Sequence, residues 1–92
     1  MTQKQDRALK FMDEVKHALT HKLPEKQRSE FAVKIEHYKS EIRSEPEKNF
    51  PGIADRFTKY VKPLLTSHVP EATQDEVKAS LHRLDLAING RR

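Results

Sequence analysis

Five histidines are the first residues of this 92-residue chain to invite a chemical reading, because there is no cysteine to share that role. His17 and His21 stand four apart, which puts both imidazoles on one helix face and at two corners of a zinc tetrahedron. Ala18, Leu19 and Thr20 lie between them, so the glutamate of the metalloprotease pattern is absent. No third ligand is marked. The pair falls where a helix should end, a place that favours imidazolium, so both are expected as exposed or capping side chains and no metal or cofactor is expected. Serine and aspartate are scattered, with no nucleophile elbow and no paired-carboxylate spacing, so no catalytic residue is expected and the chain does not read as an enzyme. Two glycines exclude a Gly-cradled phosphate loop and a dinucleotide fingerprint. The missing cysteines exclude a disulfide framework, a thiolate metal site and a cysteine nucleophile.

A second pattern is electrostatic. Arg56, Lys59 and Lys62 recur at steps of three, a ridge that can meet phosphates or an acidic peptide, or simply face solvent. The net charge is +4, and its excess is split between residues 1–22, with five basic and three acidic groups, and residues 46–70, with four and two. A dedicated DNA binder concentrates its cations in one stripe, so the charge only weakly favours nucleic acid. Three apolar residues stand apart from the seams around them. Val33 and Leu86 are expected to point away from the core side of their helices, and Phe11 to sit at the edge of its stripe, where a ring can line a groove or fill the core.

The elements that must position these residues are helices throughout, because apolar residues recur at helical spacing in four places and nowhere alternate as in a strand. The spacing predicts an all-α bundle of four helices, at about 3–20, 24–43, 52–66 and 73–89, with residues 1–4 and 90–92 frayed and the whole forming one domain. Ala8, Phe11, Met12, Val15, Ala18 and Leu19 form the first stripe, with Thr2 and Gln5 as a capping box. Pro24 is expected to end the first connection and open the second helix. Phe31, Ile35, Tyr38 and Ile42 make a narrow seam, and Ser44 to Pro51 reads as a loop. Ile53, Ala54, Phe57, Tyr60, Val61, Leu64 and Leu65 spread over a wider arc, so the third helix should be central, with Pro63 bending or ending it after about Lys62. Thr73 to Glu76 reads as the capping box of the fourth helix, Val77, Leu81, Leu84 and Ile88 as its seam, and Asn89-Gly90 as its stop. The expected core is Met12, Val15, Leu19, Phe31, Ile35, Tyr38, Ile53, Phe57, Val61, Leu64, Val77, Leu81, Leu84 and Ile88. No internal repeat and no low-complexity tract is expected.

The segment Ala8-Leu9-Lys10-Phe11-Met12-Asp13-Glu14-Val15-Lys16, with Glu30-Phe31 and His37-Tyr38-Lys39-Ser40 after it, resembles the first two helices of paired amphipathic helix domains and of harmonin-homology domains. Glu45 to Phe50 and the stretch Arg56-Phe57-Thr58-Lys59-Tyr60-Val61-Lys62-Pro63 are similar to the harmonin-homology pattern, in which an aromatic-rich helix ends on a basic residue and proline. Together these cover about residues 7–82. Both families place a further helix after the Tyr-Lys end of the second, where this chain has about eight residues. The resemblance implies a helical scaffold hub, a module of larger proteins, that takes an amphipathic helix from a disordered partner into a groove beside its first two helices.

The functional expectation is therefore a non-catalytic protein-interaction module. Phe11, Val15, Ala18, Val33 and Tyr38 are expected to line the groove, with Lys10 and Lys34 at the rim selecting an acidic partner segment. The alternative is a nucleic-acid site on Lys48, Arg56, Lys59 and Lys62, with Arg91 and Arg92 as a loose basic tail. No run of about 18 apolar residues is present, so no membrane partner is expected. The opening Met-Thr-Gln-Lys-Gln-Asp has no apolar run behind it, so an intracellular, nuclear or cytoplasmic setting is expected.

Overall fold

The computed structural model describes residues 2–66 and 69–90, and within them the chain is all-α. Four helices follow one another: α1 (Gln3–Thr20), α2 (Glu25–Ser44), α3 (Phe50–Val61) and α4 (Glu71–Asn89). A single 3₁₀ turn precedes α3 at Glu47–Asn49 and another follows it at Lys62–Leu64. No helix among the described residues is long and apolar enough to cross a membrane.

The helix ends show where local chemistry departs from the expected boundaries. The Thr2 hydroxyl accepts from the Gln5 backbone N–H at 3.1 Å, the first half of a capping box. The Gln5 side chain does not return to complete it. Its amide instead donates to the carbonyls of Ile42 and Arg43, at 3.0 and 3.1 Å, and so caps the far end of α2. Pro24 is the N-cap of α2 rather than its first residue, and α4 begins two residues before the expected Thr73, on Pro70. Both prolines hold the extended geometry an N-cap requires, with φ, ψ of −57, 151 and −55, 145 degrees. In each case the side chain four residues on donates back to the carbonyl before the proline: Arg28 to Leu23 at 3.1 Å and Gln74 to Val69 at 2.9 Å. α3 starts at Phe50 rather than Gly52, because Pro51 falls in the first turn, where no N–H is needed. Its α-helical geometry stops at Val61, one turn short of Leu65, as Pro63 demands.

Cross-helix contacts run in opposite sequence directions around the bundle. Gln5, Asp13 and Lys16 meet Ile42, Lys39 and Glu36 across α1 and α2. Glu41, Tyr38 and Phe31 meet Arg56, Phe57 and Tyr60 across α2 and α3. Gln74 ties the start of α4 to Thr66 just beyond α3, and Glu14 meets Ser80 and Arg83 across α1 and α4. The topology is therefore up-down-up-down, closed into a ring. Of the expected core all but two residues are buried. Tyr38 and Leu64 are half-buried instead, while Ala8, Leu23, Phe50 and Val69 join the interior from helix starts and connections.

The starts of α2 and α4 mark a register that the spacing of single helices does not show. Pro24-Glu25 and Pro70-Glu71 lie 46 positions apart, half the chain length. Sliding the sequence by that offset without a gap brings ten identical pairs into register: Ala8/Ala54, Phe11/Phe57, Val15/Val61, Lys16/Lys62, Leu19/Leu65, Thr20/Thr66, Pro24/Pro70, Glu25/Glu71, Glu30/Glu76 and Ile42/Ile88. Burial follows the same register, since Ala8 and Ala54, Val15 and Val61, Leu23 and Val69, Phe31 and Val77, Ile35 and Leu81, and Ile42 and Ile88 are all buried. Each half is an αα-hairpin, α1–α2 and α3–α4, and the two halves share this register. Apolar spacing alone hides this, because every amphipathic helix shares that pattern; the Pro-Glu start and the gap-free register reveal it.

Candidate functional site: the groove between α3 and α4

The first hairpin is closed. Met12 is fully buried on α1. Beside it the Lys39 ammonium, on a side chain only 10% exposed, reaches the Asp13 carboxylate at 2.6 Å. One turn further Lys16 pairs with Glu36 at 3.3 Å. That hydrogen bond, helped by the Lys39 charge, holds the Glu36 carboxyl below the usual carboxylate range. With Gln5 capping α2, the seam is zipped along its length.

The second hairpin carries different residues at the matching positions, and its seam is open. Asp55 stands where the first hairpin has Leu9, Thr58 where it has Met12, His82 where it has Glu36 and Asp85 where it has Lys39. The position matching Asp13 is Lys59, so an ion pair with Asp85 is chemically available. It is not made: Lys59 turns to Asp55 on its own helix at 3.0 Å, and Asp85 accepts from the Asn89 amide at 2.6 Å. Between the helices lies a groove of about 700 Å³. Ala54 and Leu81 form its floor, and at 5% exposure each they are the most accessible members of the buried core. Lys62, Lys78 and His82 line it where α3 ends and α4 begins; Pro51, Asp55, Asp85 and Asn89 line the other end, with Thr58 between. The groove thus has an apolar floor and walls of opposite charge at its two ends.

The expected binding residues are not gathered in one place. Val15 is fully buried, which corrects its assignment to a groove wall. It sits on the centre of a stripe that faces α2 and α4 at once, leaving no open side. Phe11 is half-buried and faces α4, in a furrow of about 240 Å³ with Arg7, Arg83, Leu86 and Ala87, and the Lys10 ammonium stands 5.7 Å from its ring centre. Ala18 is half-buried against the core. Val33 is 71% exposed, pointing away from every seam in keeping with its spacing, and Lys34 beside it is exposed. Tyr38 faces α3, with its ring 5.5 Å from Phe57 edge-on and 6.1 Å from Tyr60.

The basic ridge is dispersed as well. Arg56 leans toward α2, where its guanidinium meets both Glu41 oxygens, at 2.7 and 3.4 Å, and the bond to Glu41 holds its pKa up. Lys59 is engaged by Asp55, Lys62 faces the α3–α4 groove, and Lys48 is exposed on the 3₁₀ turn before α3. Arg91 and Arg92 lie outside the described residues. His17 is exposed and His21 is the C-cap of α1; among the described residues no three metal-ligating side chains gather. Nothing in the spacing of a single helix marks Thr58, His82 and Asp85 as site residues. The signal that finds them is the comparison of one hairpin with the other, which shows a buried methionine replaced by threonine at a seam. Comparison with protein-family models, with curated proteins and with solved structures gives no match.

Proposed function

We propose that this domain is a non-catalytic protein-interaction module whose α3–α4 groove takes an amphipathic helix from a partner. The observation that carries the reading is the unfilled seam, in which two antiparallel helices leave Ala54 and Leu81 reachable while the matching seam of the other hairpin is packed shut. An apolar floor between two parallel ridges is the shape into which a third helix lays its apolar face. The likeness to helical hub families points to the same class of partner, although it places the groove beside α1 and α2. Affinity should lie in the micromolar range, because ordering the partner offsets much of the contact energy.

The test is an NMR titration of the isotope-labelled domain with amphipathic helical peptides. Shifts should centre on Ala54, Thr58, Leu81 and Asp85. Shifts confined to α1 and α2 would move the site to the first hairpin, and silence with every peptide would remove the interaction reading.

A further inference from the structure

From the polarity of this groove we infer the chemistry and direction of its occupant: a helix of about three turns with acidic residues in its first turn, basic residues in its last, and small or aliphatic residues facing Ala54 and Leu81. The inference rests on the helix-capturing reading of the groove. Its length follows from the groove wall, since Lys78 to Asn89 spans eleven residue steps, about 17 Å of helix. Its charge follows from the two ends. Neither Lys62 nor Lys78 has an ion-pair partner among the described residues, so this end presents two uncommitted ammonium groups beside the His82 ring. At the other end Asp55 and Asp85 are engaged only by Lys59 and Asn89, contacts at or near the surface that can be exchanged for a partner's cation. Direction follows from the helix dipole, which favours carboxylates at a helix's own N-terminus and cations at its C-terminus. The occupant therefore starts at Lys62 and Lys78 and runs parallel to α4, antiparallel to α3.

The shared register of the two hairpins gives a second reason to regard the groove as a binding site. The first hairpin shows how this seam closes when Leu9 and Met12 occupy it. Changing both matching positions to Asp55 and Thr58 leaves the second hairpin polar where a closed seam requires apolar volume, and diverts Lys59 from Asp85. The empty seam is thus traced to two residues. Restoring them, with Asp55→Leu and Thr58→Met together, should release Lys59 to Asp85 and zip α3 onto α4.

The experiment compares two peptides of identical composition against the full chain by fluorescence anisotropy, one acidic at its N-terminal turn and basic at its C-terminal turn, the other reversed. The first should bind about tenfold tighter at low salt, the difference shrinking as salt screens the end charges. The Lys78→Glu, Asp85→Lys double variant leaves one charge of each sign at either end of the groove, beside Lys62 and Asp55, and should abolish the preference. The Asp55→Leu, Thr58→Met variant should lose binding while melting no lower than the parent. Equal affinity of the two peptides, with shifts still centred on the groove, overturns the stated polarity and leaves the helix-capturing reading standing. Absence of binding by both peptides overturns both.

Discussion

At the scale of single residues, the Lys39–Asp13 contact takes a charge out of water. The two partners are not equivalent: the Lys39 side chain is 10% exposed and that of Asp13 is 42% exposed. Removing the carboxylate leaves a nearly buried ammonium whose remaining acceptor is Glu36 at 3.5 Å. Removing the ammonium leaves a carboxylate that water can solvate. Asp13→Ala should therefore cost about 1–3 kcal/mol in chemical unfolding, whereas Lys39→Met, which keeps the packed stem, should stay within about 1 kcal/mol of the parent. Equal losses would mean that the ammonium reaches solvent after all. This residue also shows where sequence reasoning stops. Lysine at position 39 reads as surface, since lysine is almost never buried unless paired, and the partner that pairs it lies on another helix, 26 positions earlier. Long-range pairing of that kind has no local signature. The buried apolar positions do, because period 3.6 is written into each helix separately, which is why Met12, Val15, Phe57, Leu84 and Ile88 are readable from spacing and the Thr58 opening is not.

At the scale of the element, both glycines sit at helix ends, with opposite consequences. Gly90 ends α4 in the left-handed region, with φ of 63 degrees, and its N–H bonds the Leu86 carbonyl at 2.9 Å. A side chain there is strained however much space surrounds it, so Gly90→Ala should destabilise by about 1 kcal/mol. Gly52 lies in the first turn of α3 at helical geometry, with no atom of a neighbouring element within 4 Å of where a methyl group would stand. Gly52→Ala removes freedom from the unfolded chain without a clash, and should stabilise by about 0.4–1 kcal/mol. Thermal melts of the two variants should move in opposite directions; a gain at position 90 would contradict the left-handed cap. Asn89-Gly90 is legible in sequence for this reason, since the conformation nearly prescribes the residue. Helix starts are less legible here because proline takes the N-cap, a position where Ser, Thr, Asp or Asn is the usual signal. Thr73 and Glu76 imitate a capping box one half-turn inside α4, and that mimicry displaces the expected start by two residues.

At the scale of the whole molecule, the two-hairpin build makes a prediction about how the fold is held together. Neither hairpin can bury its own apolar face: Val15, Phe31 and Ile35 of one half and Phe57, Val61, Leu81 and Leu84 of the other meet in one continuous core. Isolated helices of this length are marginal in water, so the fragments 1–46 and 47–92 should each be largely unstructured alone. Cutting the Glu45–Asn49 connection between residues 46 and 47 severs no α-helix and leaves the contacts between the helices of the two halves in place, including Glu14 with Ser80 and Arg83, and Glu41 with Arg56. Mixed in equal amounts, the two fragments should therefore regain the helicity of the parent. The magnitude follows from the tether. A domain of this size is stable by about 5–10 kcal/mol, and a short linker supplies an effective concentration on the order of millimolar, so the untethered halves should associate with a Kd of about 1 μM or tighter. Circular dichroism of a dilution series reads it directly. Full helicity in either fragment alone would show a hairpin that is complete by itself, and no recovery on mixing would show that the two halves do not share one core.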